Sequence, residues 1–203
     1  MKIKSFFYIA FSIIISFNSL AQNKERKFKI HTLAFYNLEN LFDTINDVNK
    51  NDEASPMMEI KFNRGNIYKQ KVSNMARVIS EIGYDVTNRP PTIIGICEVE
   101  NRNVVEDIIA NEKLSKYNYG IVHYDSPDRR GIDVGLLYNK DIFEVINSNS
   151  HVLYINYNNT SNRSYTRDQL VVSGKLDGEL IHLIVNHWPS RGADETKRMA
   201  AAE

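Results

Sequence analysis

The alternation of hydrophobic and polar positions divides the chain into a series of short elements. Phe28 to Tyr36 mixes apolar and polar residues as a first strand does, and Asn37-Leu38-Glu39-Asn40-Leu41-Phe42-Asp43 follows it. Asn46 to Pro56 is polar and reads as a loop. From Tyr68 onward, Val72, Met75, Ala76, Ile79 and Ile82 recur at helical spacing, and Gly83 is placed to end that helix. After Pro90-Pro91, Thr92 to Cys97 is apolar on both faces, as a buried strand requires. Asn103 is placed to cap a short helix through Ile109. Tyr119 to Tyr124, Ile132 to Tyr138 and Val152 to Tyr157 have strand composition, and Asn156 to Tyr165 is a polar loop. Its Asn158, Asn159 and Asn162 triplets read as loop composition rather than glycan sites.

Gln169 to Leu176 and Glu179 to Val185 flank Asp177-Gly178, a strong local signal for a hairpin. Ile181, Leu183 and Val185 alternate with Leu180, His182 and Ile184, so both faces of its second strand are mainly apolar and cover is expected on both sides. Asp194 to Glu203 is rich in helix formers and stops without a cap, as if cut within a helix. Many strands and few helices, with central strands buried on both faces, predict packed sheets with helices outside.

The start of the chain changes the picture of where it works. Lys2 and Lys4 precede an apolar run from Phe6 to Phe17, and Ser19-Leu20-Ala21 supplies small residues for cleavage. Residues 1–21 are therefore expected to be an export signal, leaving 22–203 as part of a single domain in the periplasm or outside the cell. The run is shorter than the roughly 20 residues of a membrane-spanning helix, and no cysteine follows it, so no stable membrane anchor is expected. A formal net charge of zero gives no general grip on nucleic acid, so such a role would rest on a local site. Cys97, the single cysteine, sits in an apolar run and reads as a core residue rather than a nucleophile.

Candidate chemistry lies where polar residues interrupt apolar runs. Asn37 follows the first strand, Glu98 ends Ile93 to Cys97, Arg167 and Asp168 open the hairpin, and Asn186 and His187 close it. A tight antiparallel hairpin brings its outer ends together, which sets Arg167 and Asp168 beside Asn186 and His187. Taken singly, His187 could pack at the surface, Glu98 could pair with a lysine and Asn37 could shape a turn. Together, a carboxylate and an amide oxygen suit a hard cation, while Arg and His suit phosphate oxygens. That combination describes metal-assisted hydrolysis of a phosphoryl ester.

Tyr36-Asn37-Leu38-Glu39-Asn40, Ile96-Cys97-Glu98-Val99, Gly131-Ile132-Asp133-Val134-Gly135, Arg167-Asp168 and Asn186-His187-Trp188, in that order, resemble the endonuclease/exonuclease/phosphatase superfamily. The resemblance implies a DNase I-like four-layered α/β/β/α sandwich. It implies Asn37 and Glu98, with Glu39 less directly, as ligands of Mg²⁺ (or Mn²⁺ or Ca²⁺). His187 is implied as a catalytic histidine with Asn186 beside it, Arg167 as a phosphate-side arginine, and Asp133 and Asp168 as supporting groups near the substrate.

The superfamily's late Asp-x-Asn and Asp-His motifs are not matched: the one Asp-x-Asn, Asp47-Val48-Asn49, lies early, and no Asp-His pair occurs. The chain is therefore expected to be the N-terminal part of a longer domain, weakly active or inactive by itself. The expectation is a monomeric phosphoesterase, an endonuclease-like phosphodiester hydrolase whose partner is a phosphoester, nucleic acid included. The alternatives are a phosphomonoesterase, a phospholipid hydrolase or a binding domain without catalysis.

Overall fold

The structure is a computed structural model and describes residues 28–156, 160–192 and 195–202. The expected export signal, residues 1–21, lies outside the described residues, as do Asn158 and Asn159. Residues His31–Glu203 form one unit, and the architecture below belongs to it.

The first sheet has the order β1-β2-β4-β3, built from β1 (Leu33–Leu41), β2 (Ile93–Val99), β3 (Tyr119–His123) and β4 (Asp133–Asn139). β1 and β2 run parallel, joined by α1 (Pro56–Glu59), α2 (Arg64–Glu81) and α3 (Tyr84–Thr87), while β4 lies antiparallel to both of its neighbours. On one face Ile94, Ile96 and Leu137 meet Val72, Met75, Ala76 and Ile79 of α2 and Val104, Val105 and Ile108 of α4 (Arg102–Ala110). The other face, with Ile93, Cys97, Val134 and Leu136, packs on Phe143, Leu170, Val172 and Val185 of a second sheet. That sheet has the order β5-β8-β9: β5 (Phe143–His151), β8 (Gln169–Leu176) and β9 (Glu179–Val185). A two-stranded ribbon, β6 (Ile155–Asn156) with β7 (Arg163–Ser164), α5 (Glu195–Ala202) and one 3-10 turn, Asp52–Ala54, within the polar stretch expected as a loop, complete the described elements.

The helix α2, the buried strand β2 and the hairpin β8–β9 lie where periodicity puts them. Gly83, at φ 65°, stops α2 as expected. Other expectations differ. The first strand is shifted to Leu33–Leu41, because the parallel ladder that defines it begins at Leu33 opposite Ile93. Asn101, not Asn103, caps α4, its side chain accepting from the Val104 N–H at 3.1 Å. Strand β5 carries Asn147-Ser148-Asn149-Ser150, a loop-like composition that tertiary pairing with β8 overrides. Conversely, of the strand expected over Val152 to Tyr157, whose last residue lies outside the described residues, only Ile155–Asn156 pairs, with Val152 and Tyr154 left exposed.

The outer face of β9 is a further correction. Ile181, Leu183 and Val185 pack against the first sheet, whereas Leu180 and Ile184 stand 56% and 61% exposed. No described element covers them, so three layers of the expected four are present among the described residues. Among the described residues no helix is long and apolar enough to cross a membrane.

Candidate active-site cleft

Two β-bulges side by side build one wall of the site. The β1–β2 register slips between Asn37 and Leu41, and the β2–β4 register slips between Cys97 and Val99. The second slip reverses the phase of β2: Cys97 faces the second sheet, yet Val99, two residues on, packs with the helices. Glu98 is the extra residue, at φ 60°, and Glu39 and Asn40 take φ 51° and 55°. Non-glycine residues in that region cost of order 1–3 kcal/mol each and persist where surrounding bonds hold them. Here Asn37 Oδ1 accepts from the Glu39 N–H at 2.7 Å, and Glu98 Oε2 from the Asn40 N–H at 3.0 Å. Lys71 of α2 donates to the Glu39 and Asn40 carbonyls at 2.6 and 3.0 Å. Burial lowers the Lys71 ammonium's pKa, against the pull of Glu39 and Glu98.

The far end of the β8–β9 hairpin builds the other wall. Arg167 is buried and donates to the His187 and Trp188 carbonyls, so the hairpin's outer ends meet as its topology requires. Its other arm pairs with buried Asp128 at 2.9 Å. His187 Nε2 lies 3.2 Å from Glu98 Oε1, which joins the two walls. Burial, then the charges of Arg167 and Arg130, hold the imidazole below its usual pKa, while Glu98 pulls it upward. His187 is therefore biased toward the neutral form. The Asn186 side-chain oxygen is buried without a hydrogen-bond partner.

Between these walls opens a cleft of about 370 Å³, lined among others by Glu98, His187, Arg167, Arg129, Arg130 and Lys197. Tyr165 and Trp188 add aromatic surface; the Arg129 and Arg163 guanidinium groups lie 5.8 and 4.8 Å from the Tyr165 ring centroid. Four cationic side chains around two carboxylates, Glu98 and Asp128, make a site that attracts anions despite the chain's zero net charge.

Of the residues expected from sequence, Glu98, His187 and Arg167 come together here. Asn186 adjoins His187 along the chain and Asn37 lies opposite Cys97 across the β1–β2 ladder; neither lines the cleft itself. Arg167 is engaged with Asp128 and two carbonyls, so it orders the hairpin ends as well as adding charge. Glu39 is exposed on the bulge and contributes its backbone. Asp168 turns away, accepting from Ser150 and from the Leu153 N–H at 3.3 Å each; burial raises its pKa. Asp133 is fully buried beyond the cleft, with Oδ1 held by the Ser126 N–H at 2.8 Å and hydroxyl at 2.6 Å. Asp47 Oδ1 accepts from Asn49 within its own turn. Cys97 is buried, its thiol pushed up to about 12 by that burial, as a core residue should be.

Sequence reasoning missed Lys71, Asp128, Arg129 and Arg130. Lys71 lies on the polar flank of a helix, where lysine is unremarkable. Ser126-Pro127-Asp128-Arg129-Arg130-Gly131 carried a visible signal, two arginines in a turn-forming stretch before β4.

The model of the Endonuclease/Exonuclease/phosphatase family matches residues 32–203. The chain belongs to that family. Members of the family are phosphoesterases, nucleases and phosphatases among them, and the fold described above is mixed α/β. Among solved structures the chain is similar to an endonuclease/exonuclease/phosphatase from Bacteroides vulgatus, with 19% identity over 83% of this chain and 55% of that one, at TM-score 0.49. It is also similar to a Bacteroides thetaiotaomicron mannosyl-6-phosphatase, with 15% identity, 85% and 56% coverage and TM-score 0.49. A humanized D. rerio TDP2 shows 14% identity, 78% and 47% coverage and TM-score 0.43. The chain thus spans about half the length of these structures. No functionally curated protein matches it.

Proposed function

We propose that this chain carries the phosphate-facing part of an exported, divalent-metal-dependent phosphoesterase whose substrate is a phosphodiester of the nucleic-acid type. The observation that carries the reading is the Glu98–His187 pair, 3.2 Å apart, in a cleft whose lining also includes Arg129, Arg130, Arg167 and Lys197. A carboxylate beside a neutral-biased imidazole, ringed by cations, suits an anionic ester better than a neutral substrate.

The donor set fits a hard cation. Glu98 presents its Oε1 edge to the cleft while Oε2 is fixed by the Asn40 N–H, and the orphaned Asn186 oxygen and the Asn37 amide are neutral oxygen donors nearby. Glu98, with Asn37, would hold Mg²⁺ or Mn²⁺, which when bound supplies charge stabilisation at the phosphoryl oxygens. The chain's own residues do the rest. Arg129, Arg130 and Lys197 draw in the ester. Arg167 fixes the His187 and Trp188 backbone, which aims the imidazole. His187, whose Nε2 lies 3.2 Å from Glu98 Oε1, offers a donor to an ester oxygen when the substrate displaces that contact.

The test is hydrolysis of single-stranded DNA and of bis-(p-nitrophenyl) phosphate, with and without Mg²⁺, by the protein expressed from its whole reading frame. Glu98→Gln and His187→Ala are each expected to lower turnover at least 100-fold. Full activity in EDTA, or in both variants, would overturn the reading. Faster cleavage of the monoester p-nitrophenyl phosphate would assign a phosphomonoesterase instead.

A further inference from the structure

Apart from the cleft, His123 at the end of β3, Asp125 in the following loop and Asp133 at the start of β4 bring one ring nitrogen and two carboxylate oxygens within 4.8 Å of one another. The His123 and Asp133 side chains are 4% and 0% exposed. His123 Nε2 and Asp133 Oδ2 stand 3.2 Å apart, yet neither makes a hydrogen bond. Two buried polar atoms facing each other without a bond between them are costly unless something lies against both. Two ligand atoms about 2.0–2.1 Å from a tetrahedral ion are themselves about 3.3 Å apart, which is the separation found here.

The surroundings orient the pair as outer partners orient metal ligands. Ser126 donates to Asp133 Oδ1 through its N–H and its hydroxyl, the latter shared with the Ile132 carbonyl, which leaves Oδ2 directed at His123. Asp125, 74% exposed, supplies a third oxygen and a route to solvent. The cation now nearest is the Lys50 ammonium, 3.5 Å from Asp125 and 3.9 Å from Asp133. Charge-assisted bonds close to about 2.7–2.9 Å, so Lys50 moderates the two carboxylates without satisfying them. Two carboxylates face a single ammonium in this pocket.

We propose that His123, Asp125 and Asp133 form a binding site for a borderline transition-metal cation of the Zn²⁺ class, separate from the Glu98 cleft. Imidazole nitrogen with two carboxylates selects such an ion over Mg²⁺, which keeps to oxygen ligands. The ion clamps the end of β3 to the start of β4, and with it the loop 124–132 that bears Asp128, Arg129 and Arg130. This gives the site a structural role beside the cleft.

The experiment titrates Co²⁺, then Zn²⁺, into the untagged, EDTA-treated protein, following visible d–d absorption for Co²⁺ and heat for Zn²⁺. One equivalent with the intense bands of a tetrahedral site is expected. His123→Ala and Asp125→Asn should each weaken it at least tenfold, Lys50→Met should tighten it, and Glu98→Gln should leave it in place. Asp125 is exposed, so its variant reads the site even if His123→Ala fails to fold. Absence of binding, or binding lost in Glu98→Gln but kept in Asp125→Asn, would overturn the proposal. Because the Glu98 variant is read separately, failure here leaves the phosphoesterase reading untouched.

Discussion

Glu98 and Glu100 are two residues apart, and their surroundings give them different chemistry. Glu98 points to the cleft and to His187, and the direction of the His187 shift yields a clear test. Since Glu98 is the group that pulls the His187 pKa upward, against burial and two arginines, its removal must lower it further. An NMR titration of the imidazole should show a midpoint below 6.5 in the parent and a lower one in Glu98→Gln. A rise on substitution would mean that the pair is not in contact. Glu100 is 2% exposed, and burial, aided by Asp43 and Asp52, pushes its carboxyl up to about 7 against the Asp43 N–H that it accepts at 2.7 Å. Between 4.5 and about 7 the folded chain therefore binds more protons than the unfolded one, so stability falls as pH rises through that window. The cost, about 3 kcal/mol, is fully present above pH 7. Urea unfolding of Glu100→Gln should lack that fall and exceed the parent at pH 8; identical pH profiles would refute the assignment.

At the scale of elements, what the sequence made legible was what periodicity encodes. The α2 stripe, the doubly buried β2 and the Asp177-Gly178 hairpin were all readable, and the hairpin correctly placed Arg167 beside His187. The bulges were not readable, because Asn37-Leu38-Glu39-Asn40 has the composition of a loop and only the neighbouring strand, with Lys71 on the carbonyls, keeps it in the sheet. Nor was β5, whose Asn and Ser residues follow the outline of β8. Its register depends on Gly174, opposite Val145 and next to the β5 bulge. A Cβ there would stand 2.5 Å from the Glu144 carbonyl oxygen and would strike the Phe143 ring, so backbone must yield along with side chain. Gly174→Ala is expected to cost about 1–3 kcal/mol in urea unfolding. A loss under about 0.5 kcal/mol would show that β5 can slide without penalty.

For the molecule as a whole, the pattern of β9 told more than the described structure uses. Both of its faces are apolar, yet only Ile181, Leu183 and Val185 are packed, while Leu180 and Ile184 share the outer face with His182 and, across the ladder, Lys175, Ser173 and Val171. Among the described residues β9 is also the last strand of its sheet, so its edge and that face together offer a surface on which chains can associate. Because both side chains are more than half exposed, replacing them should disturb association and leave folding alone. The double variant Leu180→Lys, Ile184→Lys is expected to change the free energy of unfolding by no more than about 0.5 kcal/mol. It should also raise the protein concentration at which light scattering first climbs. A loss above about 2 kcal/mol would instead mean that the face is packed in the folded protein, since burying two lysines against a layer carries a desolvation penalty that an open face does not impose.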